Sequence, residues 1–223
     1  MPWATLDHDL PWRVAQMTLN QLPFDLPREQ QALLEAAYAT PPRAYHNYTH
    51  VQEVLRHYAE VAAGPGWVQP AEVGLAVLYH DAVYEAGRKD NEARSAELAM
   101  AQVAQWMPGA GIDAWRVAEL VNLTARHGQL SRSDFGDDVF SLDAMHFLDC
   151  DMAILGAEAA QFDAYDRGIA EEYRGHVPGF LFRINRKRFL KGLLARERIY
   201  LSDWFHHRYD GIACENLERA ISA

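Results

Sequence analysis

The sequence predicts an all-α fold, on two observations about its apolar residues and one about its breaks. Apolar side chains recur at helical spacing along almost the whole chain, and no run of alternating β-branched residues suggests a sheet. The periodic stretches are interrupted by Pro- and Gly-rich breaks, among them Pro41-Pro42, Gly64-Pro65-Gly66 and Pro108-Gly109-Ala110-Gly111.

Taken in order, Arg28 to Ala39 reads as a helix stopped by Pro41-Pro42, whose rings cannot continue it. Asn47 to Ala62 follows, with Val51, Val54, Leu55, Tyr58 and Val61 on one face. Pro70 suits the first turn of a helix running to about Val83. Asp90 or Asn91 can cap the next, which ends near Trp106. Ile112 to Arg126 forms another, closed by His127-Gly128, and Ser131 to Asp138 reads as a loop. A segment from about Asp143 contains HFLDCDMAILG, and further helices are expected over Glu158 to Tyr173, Pro178 to Ala195 and Asp210 to Ile221.

At 223 residues the chain suits one domain, residues 1–223, with no internal repeat or low-complexity run. Hydrophobic residues at 49% and charged residues at 23% are ordinary for a chain that folds throughout. The net charge of −10 argues against general nucleic-acid binding, which needs clustered Lys and Arg, but leaves room for a small phosphorylated ligand held by a local basic cluster. Two cysteines, Cys150 and Cys214, form neither a disulfide framework nor a CxxC knuckle, which points to a reducing compartment. The opening MPWATLDHDL lacks signal-peptide features and no uncharged apolar run approaches ~20 residues, so the expected location is the cytoplasm, without a membrane partner. Composition leaves a homo-oligomer open.

Three places concentrate ligand-type residues: YHNYTH (Tyr45 to His50), YHDAVY (Tyr79 to Tyr84) and FLDCD (Phe147 to Asp151). His80-Asp81 lies inside the apolar stretch VGLAVLYHDAVY, where a buried carboxylate costs several kcal/mol unless paired or metal-bound. Something cationic is therefore expected beside Asp81. Successive helical residues are ~100° apart, so His80 and Asp81 can both reach an ion across a helix interface. His50 from a second helix and an Asp from a third segment would complete a mixed N/O set suited to Mn, Fe, Co, Ni or Zn rather than Ca.

The ligand order H…HD…D resembles the HD superfamily of metal-dependent phosphohydrolases over about residues 45–195. More narrowly, YHNYTHV, HDAVYEAGRKDNEARSA and FLDCDMAILG are similar to three signatures of a predicted HD phosphohydrolase subgroup with few assigned substrates. The resemblance implies an HD-domain helical bundle whose metal ligands are His50, His80, Asp81 and Asp151. Asp149, two residues before Asp151 and nearly opposite it on a helix, becomes a supporting or capping residue. It also implies one divalent transition metal, with Mg an alternative in assays and a second metal disfavoured, that activates water for direct attack on phosphorus.

Around this set, His127 is expected to contact phosphate or transfer a proton. His46, four residues before His50, would share its face if the helix starts early; no Glu follows His46, so a HExxH metalloprotease is excluded, and His46 is expected to be a substrate contact within the catalytic set. Asn91 and Glu92 match the subgroup's DNE segment and are candidate substrate and catalytic contacts, although Asp90 and Asn91 before an Ala-rich helix are also ordinary caps. Within Arg183, Arg186, Lys187 and Arg188, a basic block in an acidic chain, Arg186 is the pick for a phosphate fork. Tyr165, Tyr173, Phe180, Phe182, Phe189 and Tyr200 read as core, and His206-His207 as surface. The function expected is hydrolysis of a phosphate ester or anhydride of a small, nucleotide-like metabolite. The alternatives are a non-catalytic sensor binding metal and nucleotide in the same pocket, and a di-iron oxygenase, which needs more His ligands than the sequence offers.

Overall fold

The computed structural model describes residues 19, 22–39 and 43–222. The Pro41-Pro42 stop and the N-terminal decapeptide lie outside them. Among the described residues the protein is all-helical, with no strand. The helices are α1 (Arg28–Tyr38), α2 (Tyr48–Ala63), α3 (Pro70–Tyr79), α4 (Asn91–Trp106), α5 (Ala114–Thr124), α6 (Val139–Met152), α7 (Ala159–Glu172), α8 (Gly179–Leu194) and α9 (Asp203–Ser222). Two short 3-10 turns, Arg132–Asp134 and Ala153–Gly156, fall between them, the first inside the expected loop.

Two helices form the centre. In α3, every residue from Glu72 to Tyr79 is buried, and in α6 every residue from Asp143 to Met152. An element buried on all sides must be surrounded, and each fully buried Leu or Val contributes about 1.5–3 kcal/mol. α2, α5 and α6 all pack on α3, while α9 covers the turn after α6.

The ends of the central helices are tied by side chains rather than left to packing. Tyr38 of α1 donates to Leu78 O and accepts from Asp81 N, fixing the C-terminal end of α3. Asp143 accepts the N–H groups of Val68 and Gln69, which open α3. Asp149 accepts from Leu201 N, Ser202 N and Ser202 Oγ, and Ser202 Oγ accepts in turn from Phe205 N in the first turn of α9. Asp149 is thus the cap that its angular position on α6 suggests.

Three boundaries depart from expectation. α3 ends at Tyr79 with His80 as its C-cap, not near Val83, because the chain turns there under Tyr38. α9 starts at Asp203, seven residues before Asp210, because its cap comes from Ser202 and from Asp149 on another helix. α6 begins at Val139, where Asp138 caps Phe140 N and Ser141 N. No helix among the described residues is long and apolar enough to cross a membrane.

Candidate metal centre

His50 lies in the first turn of α2, set by Asn47, whose side chain accepts from Thr49 N. His80 caps α3, Asp81 follows in the turn, and Asp151 lies in the last turn of α6. Three elements thus bring His50, His80 and Asp151 to one point, with Asp81 beside His80.

His50 Nε2 lies 3.0 Å from His80 Nε2 and 3.2 Å from Asp151 Oδ1. His80 Nε2 lies 3.1 Å from Asp81 Oδ2 and 3.6 Å from Asp151 Oδ1, while His50 Nε2 is 3.7 Å from Asp81 Oδ2. Donor atoms of His50, His80 and Asp151 all fall within 4.8 Å of one another, and this is the single such group among the described residues. His80 Nδ1 is bonded to Val77 O at 2.8 Å, which aims Nε2 at the cluster, as a backbone carbonyl does behind many metal-bound histidines.

The electrostatics are those of carboxylates countered by the imidazoles around them. Burial alone would raise Asp151, but His127 and His50, with the charge of His80, hold it well below the usual carboxylate range. Asp81 is likewise lowered against its burial, by His80 and His46 first. Burial lowers His50, whereas His80 is raised to about 9, the pull of Asp81 and Asp151 outweighing its own burial. Buried Asp151 and half-buried Asp81, facing two imidazole nitrogens that nearly touch, are a donor set that could hold one divalent metal.

The other predicted residues are distributed as follows. His127 lies in the turn beyond α5, its Nδ1 2.8 Å from Asp151 Oδ2. Gly128 beside it admits the Phe189 ring, which would approach a Cβ there to 2.6 Å. His46 is not on α2, which starts at Tyr48; its ring is held instead by Glu172 Oε2, 2.6 Å from Nδ1. Asn91 bonds both Glu85 N and Glu85 O, closing the loop before α4, so its amide shapes a wall. Arg186 donates through Nε to Asp166 and lies over the Tyr165 and Phe189 rings, with Nη2 buried and unpartnered among the described residues.

A cleft of about 470 Å³ opens beside the cluster, lined by Asp81, Asp151, His46, His127, Glu92 and Arg186 among others. The residues read as core divide: Tyr165, Tyr173, Phe182 and Phe189 line this cleft, Phe180 is exposed, and Tyr200 is buried. His206 pairs with Asp210 at 2.9 Å.

Two supporting residues were not anticipated. Glu172, fully buried at the end of α7, accepts from Tyr45 N, His46 N and Tyr84 OH besides holding His46. Arg43 donates to His46 O, Asp81 O and Ala82 O, stitching the two His-bearing segments together. No sequence signal separates Glu172 from its exposed neighbour Glu171. Comparison of the chain with protein-family models, with curated proteins and with solved structures found no match in any of the three.

Proposed function

We propose that this chain is a metal-dependent phosphohydrolase of the HD type, acting in the cytoplasm on a small phosphorylated, nucleotide-like metabolite. The observation that carries the reading is the convergence of His50, His80, Asp81 and Asp151 beside a cleft large enough for such a ligand. Those four would hold one divalent ion, Mn, Fe, Co, Ni or Zn. When bound, it supplies Lewis acidity toward a phosphoryl oxygen and lowers the pKa of water.

The protein's own groups do the rest. Asp81 and Asp151 reach the cleft, so the ion's site borders the space where substrate sits. Arg186 presents a guanidinium backed by Asp166 and two aromatic rings, suited to a phosphate oxygen. His46 is raised above the usual imidazole value: burial opposes the shift, and Asp81 and Glu172 prevail. With Nδ1 anchored on Glu172, its Nε2 is the atom left to hold a proton for the leaving group. Tyr45 and Tyr165, ring centroids 4.6 Å apart, form the apolar side of the cleft and limit water there.

The test is metal content and phosphate release, measured on wild type and Asp81→Ala with nucleotides and sugar phosphates plus Mn, Co or Mg. About one metal per chain and turnover abolished in the variant are expected. Bound metal without turnover on any substrate would instead indicate a sensor, and no metal would overturn the site.

A further inference from the structure

α8 forms the wall of two clefts rather than one. Phe182, Asn185, Arg186 and Phe189 line the cleft beside the ligand cluster, while Gly179, Phe182, Arg183, Arg186, Lys187 and Leu190 line a second groove of about 560 Å³. Both sets follow the spacing of neighbouring stripes on one helix, with Phe182 and Arg186 on the ridge between them. Tyr173 and Val177 belong to both clefts as well, so the two spaces meet along this ridge.

The groove is basic in a chain of net charge −10. Its charged lining is Arg174, Arg183, Arg186 and Lys187 against the single carboxylate of Asp166. Arg174 is paired with Glu171 and Arg186 with Asp166, whereas Arg183 and Lys187 have no ion-pair partner among the described residues. Unpaired cations one helical turn apart, beside a buried Arg186 Nη2 with no acceptor, make a concave surface with unused capacity for an anion.

We infer that this groove binds a second anionic group of the substrate, so that the natural ligand is a small molecule with two separated phosphates. One phosphate lies at the His50/His80/Asp81/Asp151 end, and the other is held by Arg183 and Lys187. The ring system between them passes over the ridge, where Tyr173 and Phe182 lie 5.4 Å apart centroid to centroid. The identity of the first end rests on the phosphohydrolase reading; the second rests on the groove alone. Arg186, shared by both clefts, is the specificity-determining residue that couples them.

Calorimetric titration of metal-loaded protein, with released phosphate assayed in the same samples, separates the two. Adenosine 3′,5′-bisphosphate is compared with adenosine 5′-monophosphate and adenosine 3′-monophosphate, on wild type, on Arg183→Gln/Lys187→Gln and on Arg94→Gln, an exposed cation of α4. The bisphosphate is expected to bind about tenfold or more tightly than either monophosphate, an advantage that the double variant erases and Arg94→Gln retains. Equal affinity for all three probes, or a preference that survives the double variant, would overturn the inference. Metal-loaded wild type that hydrolyses nothing, yet keeps this preference, would refute the phosphohydrolase reading while leaving the second anion site standing.

Discussion

The two faces of α6 carry the same chemical groups and put them to opposite use. On one face Asp143 and Asp149 are turned toward backbone N–H groups of the segments that lead into α3 and α9, and on the other Asp151 is turned toward imidazoles. Burial raises Asp143 and pushes Asp149 up to about 7, their hydrogen bonds only partly compensating, whereas the histidines draw Asp151 far down. A carboxylate in one helix becomes a joint or a member of the His/Asp cluster according to what the next element presents to it. The joints hold the helices in register, and that register brings the cluster together.

The largest expected effect breaks the framework face. Asp149→Ala leaves three buried donors without an acceptor and should cost about 3 kcal/mol or more in urea unfolding, with Asp149→Asn costing less than half of that. An alanine variant as stable as wild type would refute the joint role. Next, a divalent metal at a hundredfold excess over its Kd should stabilise the wild type by about 2.7 kcal/mol. Asp151→Asn should abolish that response, while altering metal-free stability less than Asp149→Ala does. A metal response that persists in Asp151→Asn would place the ion elsewhere.

A third effect separates the faces by pH. His146, on the framework side of α6, is lowered to about 4 by burial, with Nδ1 unpartnered among the described residues. Its neutral ring contributes fully above the unfolded value near 6.5, and that contribution is lost as pH falls toward 4. Wild type should therefore lose about 2 kcal/mol by pH 4.5 through this group, and His146→Leu should flatten the profile. Identical acid profiles would exclude His146 as a source of the slope. The smallest effect touches both faces equally: Asp138→Ala removes the N-cap of α6 and should cost about 1 kcal/mol. Metal stoichiometry should not change, and a loss of metal there would mean that the faces are not separable.

The helical fold was legible because the periodicity is continuous and the breaks contain Pro and Gly. The ligand-type residues were legible as three clusters, since His and Asp inside apolar stretches are conspicuous. Their supports were not. Glu171 is exposed and Glu172 buried, and adjacent identical residues carry no signal of which one a distant segment requires. Tyr165, Tyr173, Phe182 and Phe189 have the spacing of a buried stripe, and spacing alone does not distinguish a core from the wall of a cleft. The start of α9 escaped for a similar reason: part of its cap lies on α6, more than fifty residues earlier.

Glu172 also bears on the order of assembly. It reaches Tyr45 and His46 across 127 and 126 positions, so the ring beside the candidate metal is fixed only when the end of α7 returns to the start of α2. Closing so long a loop is slow compared with forming any one helix. During synthesis the His50 and His80 segments leave the ribosome well before Asp151 and Glu172, and until those arrive the emerging chain holds two imidazoles with half of their counter-charges missing. On the proposed metal-dependent reading, capture of the ion is a late event, coupled to docking of the C-terminal half, and the cleft cannot be completed on a partly made chain.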